Sequence, residues 1–316
     1  MIPARVRPLV DELLAGCTFP PAGTSVSCAV SGGADSLALL VLAVAAGCDV
    51  TAVHVDHGLR PGSAQEAQVV AAAAERFGAG FRAATVSVAA GPNLEARARE
   101  ARYAALPADA LTGHTADDQA ETVLLHLLRG AGLSGLSAMV DDPRRPILGL
   151  RRTDTERLCA EVDLDPVRDP SNLDPAFRRN RVRHELLPLA AEIADRDVVP
   201  VLNRQARLLA EVDDLLTSLA AEVDPTSAAA LREVPVALAR VAVRRWLLAA
   251  GVGRGYVVDA AAVDRVLAVA RGEVVATELA GGWRVARSAG VLAVSPPSVG
   301  GGAGHGPTRC KDARHG

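Results

Sequence analysis

The sequence predicts an α/β fold: a parallel sheet with helices on both faces, followed by a smaller, mainly helical domain. Three observations point there. Short apolar, β-branched runs alternate with helical segments through roughly the first 190 residues. The polar clusters fall just after predicted strands, and from Val199 the pattern turns to helices and a late hairpin. Alternation of this kind requires parallel pairing with crossover helices packed on the sheet, and ligands then bind at the carboxyl ends of the strands.

The elements follow in order. Ser25–Val30 is a short buried strand ended by glycines, and Leu37–Ala46 is the apolar helix after it. Asp49–Val55 is a second strand. Ser63–Phe77 is an alanine-rich helix, with Ser63 as N-cap and Glu66 completing a capping box. Phe81–Val88 is a third strand, and Asn93–Leu106 a charged helix stopped by Pro107. Asp109–Gly113 is a fourth strand, leading into a helix over Thr115–Leu128. Further on come helices at Val199–Glu222, Val234–Ala250 and Val257–Ala270. A hairpin then pairs Val274–Leu279 with Trp283–Val294 around Gly281-Gly282. The expected domains are therefore 1–198 and 199–295, with a glycine-rich polar tail at 296–316 expected to be disordered. Trp246 and Trp283 are expected in the core.

Composition excludes several classes. With 34 basic and 37 acidic residues the net charge is −3, so the chain is no polycation and any nucleic-acid contact must come from a local patch. Arginine supplies almost all the basic charge, Lys311 being the single lysine. The five cysteines (Cys17, Cys28, Cys48, Cys159, Cys310) show neither CxxC nor metal spacing. With no signal peptide, they read as reduced thiols in the cytoplasm. The apolar window around Val41–Ala46 is too short to span a bilayer.

The chemistry begins at Ser31-Gly32-Gly33-Ala34-Asp35-Ser36, a turn from strand into helix. Such a turn offers backbone N–H groups and the positive end of a helix to an anion. It is neither Walker A, which needs a lysine, nor GxGxxG. The pattern SGGxDS resembles the PP-loop of the N-type ATP pyrophosphatases. In that reading the serine hydroxyls and loop amides hold pyrophosphate. Asp35 cannot bind phosphate itself, so it either reaches it through Mg²⁺ or simply caps the helix. A second cluster, His54-Val55-Asp56-His57, follows the second strand; its histidines lack a third metal ligand nearby, and His54 and Val55 are read as lining a nucleotide pocket. Third come Gly113 and His114, leading into Asp118 and Glu121, whose spacing presents both carboxylates on one helical face. Acids in a first helical turn also serve as caps. Together with Asp35 they would make a strongly negative pocket that needs Mg²⁺, an amine, or both. Last is Arg178-Arg179-Asn180-Arg181-Val182-Arg183 beside Phe177, read as a tRNA patch or as a solvated charge run paired with Asp169 and Asp174.

SGGADS, HVDHGLR, NLEARAREARY, TGHTADDQAET, RGAGLSGL and DPSNLDPAFRRNRVRHELLP occur in this order across most of residues 25–190. Together they resemble the tRNA(Ile)-lysidine synthetase family. The resemblance implies ATP-dependent adenylation of C2 of the wobble cytidine in a CAU-anticodon tRNA(Ile). Free lysine then displaces AMP. It further implies catalytic Asp35, Asp118 and Glu121, with Mg²⁺ on Asp35 and Asp118. ATP would lie on residues Ser31 to Ser36, His54, Val55, Gly113 and His114. Lysine would be held by Asp118, Glu121 and Arg99, and tRNA by Arg178, Arg179, Arg181 and Arg183. Glu95 and Arg99 match the family's E-x-x-A-R, although a surface pair between them fits as well. Whether the enzyme is a homodimer is left open. The alternatives are a PP-loop tRNA thiolase, against which the missing cysteine pair counts, and a small-molecule amide-forming synthetase, which would lack the arginine run.

Overall fold

A computed structural model describes residues 2–56, 63–86, 97, 101, 104–140, 142–167, 169–253 and 258–297. The chain divides into two compact units, Met1–Glu211 and Val212–Gly316.

The first unit is built on four parallel strands: β1 (Ser25–Ala29), β2 (Asp49–Asp56), β3 (Gly80–Thr85) and β4 (Leu111–Thr112). Their order is β3-β2-β1-β4, with Ser25 opposite Asp49 and Cys28 opposite both Ala52 and Leu111. Helix α1 (Arg7–Leu14) precedes them, α2 (Ala34–Ala45) joins β1 to β2, and α3 (Ser63–Phe77) joins β2 to β3. Because the strand order runs outward from β1 in one direction and then jumps to β4 on its other side, the sheet has a topological switch between β1 and β4. In open α/β sheets ligands bind at such a switch, at the carboxyl ends of the strands.

Helix α2 explains why the core sits where it does. Every residue from Leu37 to Ala43 is fully buried, which is how a helix apolar on all sides must end. It packs with Cys28, Val50, Ala52 and Val70 and with Leu9, Val10 and Leu13 of α1. Each such leucine contributes about 1.5–3 kcal/mol on burial, so the helix that begins at the PP-loop is also the one most firmly held.

Two strands depart from expectation in length. β3 ends at Thr85, and the expected helix at Asn93–Leu106 lies for the most part outside the described residues, as does the side chain of Ser63. β4 is only two residues long, because Ala110 turns back onto the Pro107 carbonyl and Gly113 leaves the ladder. After β4 come α4 (Ala116–Leu128), α5 (Leu133–Leu136) and α6 (Arg152–Glu161). Then α7 (Arg178–Arg181) runs through a π-helical turn at Val182–Leu186 into α8 (Leu187–Ala194). Helix α9 spans Val199–Ala220, and the division between the units falls inside it.

The second unit has its own core. Helices α10 (Ala228–Glu233), α11 (Val236–Ala249) and α12 (Ala260–Arg271) surround buried Leu247, Val266, Val285 and Leu292, with Trp246 and Trp283 packed against them. Ser227 and Asp259 cap α10 and α12 by accepting from the Ala230 and Ala262 amides. The expected hairpin is a three-stranded antiparallel sheet: β5 (Ala276–Glu278), β6 (Arg284–Ser288) and β7 (Val291–Ser295). The run Trp283–Val294 is broken because Ala289 and Gly290 both take positive φ, the signature of a two-residue type I′ turn, and Ser288 pairs with Val291. The tail from residue 298 lies outside the described residues. Among those described, no helix is long and apolar enough to cross a membrane.

Candidate active site

The carboxyl end of β1 enters Val30, whose amide donates to the Val53 carbonyl and so extends the ladder to the edge of the turn. Gly32 then takes φ +90°, a conformation open to glycine at little cost, and Gly33 is the extended N-cap of α2. The Ser31 amide donates to the Ser36 hydroxyl at 3.1 Å, and that hydroxyl donates to the Gly33 carbonyl at 2.9 Å. Ser36 therefore ties the loop into a ring, with the Ser31 hydroxyl 3.2 Å from its own. The free first-turn amides of α2 crown that ring. Gly113 at the end of β4 lies so close that a Cβ there would meet the Asp35 carbonyl oxygen at 2.7 Å. The sheet's two polar edges are thus in van der Waals contact across the switch.

His54 is buried at the carboxyl end of β2, its Nδ1 2.9 Å from the Val30 carbonyl; Nε2 is buried with no partner among the described residues. Val55 is buried beside it. His114 Nδ1 lies 2.8 Å from the Thr112 hydroxyl. His57 and Arg99, with Glu95, lie outside the described residues. Among the described residues, no group of three or more His, Cys, Asp or Glu side chains is arranged to hold a metal ion.

Three helix N-termini meet here. The Ala116 amide at the start of α4 donates to the Leu150 carbonyl, and the Arg152 amide at the start of α6 donates to Asp117 at 2.8 Å. Arg151 grips the same Asp117 at 3.1 Å and also pairs with Asp197. From the first turn of α6, the Thr155 hydroxyl reaches the Asp35 carboxylate of α2. The α4 and α6 amides thus have protein acceptors, which leaves the start of α2 as the helix end offered to an anion.

The acids converge as well. Asp118 caps its own helix, its Oδ2 accepting from the Thr115 amide at 2.9 Å and hydroxyl at 3.0 Å. Its Oδ1 faces Arg179 at 3.0 Å, Arg152 at 3.3 Å and Arg183 at 3.6 Å. Glu121, wholly buried, is clamped by Arg179 Nε at 2.7 Å and Arg183 Nε at 2.6 Å, with Arg152 at 3.4 Å. Arg152 Nε also stands 3.5 Å from Asp35. One guanidinium therefore touches all three carboxylates named from the sequence.

This geometry divides the arginine run. Arg179 and Arg183 share the inward face of one continuous helix and close on Asp118 and Glu121. Arg178 and Arg181 point outward, Arg181 toward Glu185 at 2.9 Å. Asp169 and Asp174 accept from the Ser171 and Ala176 amides in local turns. Sequence reasoning missed Arg152 and Thr155, whose partners lie 34 and 120 residues away.

The acids differ in proton affinity. Burial, with the charge of Asp118 adding to it, pushes Asp35 up to about 6 despite the Thr155 and Arg152 contacts. Burial raises Asp118 too, but there Arg179 and Arg152 outweigh it and hold the carboxyl below its usual range. The thiols of Cys17, Cys28 and Cys159 are pushed by burial to about 12, which makes them packing groups and not nucleophiles.

Comparison with known proteins agrees with this layout. A PP-loop domain family matches residues 10–190. A tRNA(Ile)-lysidine synthase from Nocardia farcinica is 44% identical over 273 residues, 81% of this chain and 85% of that protein. One from Rhodococcus erythropolis is 45% identical over 71% of this chain and 74% of its own length. One from Mycobacterium bovis is 40% identical over 78% and 82%. Among solved structures, the U34-tRNA thiolase NcsA from Methanococcus maripaludis superposes with a TM-score of 0.51 at 16% identity. It covers 64% of this chain and 80% of that one, a likeness of fold alone.

Proposed function

The chain is a PP-loop protein of the tRNA(Ile)-lysidine synthase family, and from that membership we propose that it ligates free lysine to C2 of the wobble cytidine of a CAU-anticodon tRNA(Ile). ATP is split to AMP and pyrophosphate through an adenylated cytidine, with the enzyme working in the cytoplasm beside its tRNA. The observation that carries this is the meeting of Asp35 with Asp118 and Glu121 at the switch between β1 and β4. A site that only split ATP would need the first acid. A pair of acids enclosed in the same cluster suits a cationic nucleophile.

The chain's own groups divide the work. The loop from Ser31 to Ser36 and the α2 amides hold the departing pyrophosphate, with Gly113 and His114 walling the other side and His54 and Val55 beneath the adenosine. Asp35 fits Mg²⁺: it is a hard oxygen donor whose raised proton affinity marks an undercompensated charge. When bound there, the ion neutralises charge on the transferring phosphate. Asp118, kept ionised by its arginines, is a charge partner for the ε-ammonium and a poor proton acceptor. Lysine attacks only as the neutral amine, so its proton must leave before the attack, and Glu121, paired with three guanidinium groups, is a second charge partner for the ammonium. Arg178 and Arg181 face outward for tRNA phosphates.

The test is a pyrophosphate-release assay with mass analysis of the tRNA. Turnover should require lysine and CAU-anticodon tRNA(Ile) together, and the tRNA should gain the mass of lysine less water. ADP as the nucleotide product, or turnover with ammonia and no tRNA, would refute the proposal.

A further inference from the structure

Glu121 poses a problem for any amine-binding role. Its side chain has no exposed surface, and three guanidinium groups enclose it. The acids in direct ion-pair contact are Asp35, Asp118 and Glu121, and the cations on them are Arg152, Arg179 and Arg183. Counted by formal charge, this cluster is neutral. A substrate ammonium entering it would be one cation too many, buried beside guanidinium groups with no carboxylate left to offset it.

One arginine must therefore leave, and the distances say which. Arg179 and Arg183 each make a bond of 2.7 Å or shorter to Glu121, within the range of strong charge-assisted hydrogen bonds. Arg152 makes none so short: its guanidinium lies 3.3–3.5 Å from Asp35, Asp118 and Glu121, shared among them. It is also placed to have somewhere to go. It adjoins Asp35, the acid of the loop that receives the nucleotide's phosphates. Its backbone is anchored through Asp117, so the side chain moves without unseating α6.

We propose that Arg152 is a resident counter-ion that keeps the amine substrate out until ATP binds, so that binding is ordered, nucleotide before lysine. The proposal rests on the reading of Asp118 and Glu121 as the amine pocket. An arriving triphosphate offers Arg152 a stronger anion than the three carboxylates among which it is shared, and its departure takes one positive charge away from Asp118 and Glu121, the acids that meet the incoming ammonium. The device prevents lysine from occupying a site that has no activated ester to attack.

The test is calorimetric titration of lysine into the full chain, alone and saturated with the magnesium salt of α,β-methylene-ATP, whose methylene bridge blocks cleavage. Lysine should bind the nucleotide-loaded protein at least tenfold more tightly than the free protein. In Arg152→Met, which keeps an unbranched apolar stem and removes the guanidinium, free protein should bind lysine at least tenfold more tightly than free wild type, and nucleotide dependence should shrink to within about twofold. Equal lysine affinity with and without nucleotide in the wild type overturns the proposal and leaves the amine pocket standing. That comparison decides the matter even if the variant does not fold. Nucleotide dependence undiminished in a folded Arg152→Met also overturns it. Lysine binding to neither form removes the pocket itself, and the proposal with it.

Discussion

Asp35 is asked to be charged in a place that resists charge. Burial raises its folded-state value to about 6 from an ordinary 3.8, so the folded, ligand-free protein binds this proton more tightly than the unfolded chain does. The contribution to stability is therefore complete below the lower value and is lost as pH rises through the upper one. Asp35→Asn removes that cost. At pH 8 and without nucleotide or metal, it should stabilise the protein by about 1–3 kcal/mol, an advantage that disappears by pH 4. Thermal melts across that range check the sign. The same variant should lose AMP formation by a factor on the order of 10²–10³, since the charge that destabilises the empty site is the one the reaction uses. A variant neutral in both assays would remove Asp35 from its role. Glu121 is held differently, by Arg179 at 2.7 Å and Arg183 at 2.6 Å. Glu121→Gln strands two tightly paired guanidinium groups and should cost about 3–5 kcal/mol in urea unfolding.

At the scale of elements, the site depends on how closely β4 approaches the start of α2. Gly113→Ala puts a methyl 2.7 Å from the Asp35 carbonyl, where neither backbone can yield easily. The expected cost is about 1–3 kcal/mol of stability, together with a raised KM for ATP that Ser31→Ala, outside this contact, does not reproduce through loss of stability. Steady-state kinetics and melts on both variants separate the two effects. The sheet was legible in the sequence because β1 and β2 are apolar runs bounded by glycine or polar turns, and α2 carries an unbroken apolar stretch. The acids were legible because each follows a strand. The arginines were not. Whether Arg179 turns inward depends on partners nearly 60 residues earlier, and no local pattern carries that distance. A signal was present all the same: Arg179, Arg183 and buried Leu187 recur every four residues, which makes one inward face, while Arg178 and Arg181 lie off it. The Ala289-Gly290 turn escaped notice because alanine there gives little hint of the positive φ it adopts.

For the whole molecule, charge sets the terms of any encounter with RNA. A chain with net charge −3 gains nothing from long-range attraction to a polyanion, so affinity must come from a few arginines close to phosphate. The internal cluster removes Arg152, Arg179 and Arg183 from that supply. Arg178 is exposed and makes no ion pair among the described residues, whereas Arg181 shares its charge with Glu185 in an exposed, solvent-screened pair that a phosphate can displace. Arg178→Ala should therefore weaken tRNA binding and lower the slope of log K against log salt by about 0.7–0.9, the mark of one lost phosphate contact. Lysine binding in the nucleotide-loaded protein should stay unchanged, because Arg178 touches none of the three acids. Filter binding across a salt series, set beside lysine titration, distinguishes this from damage to the site. An unchanged slope would mean that Arg178 is merely solvated and that the phosphate contacts are made elsewhere on the chain.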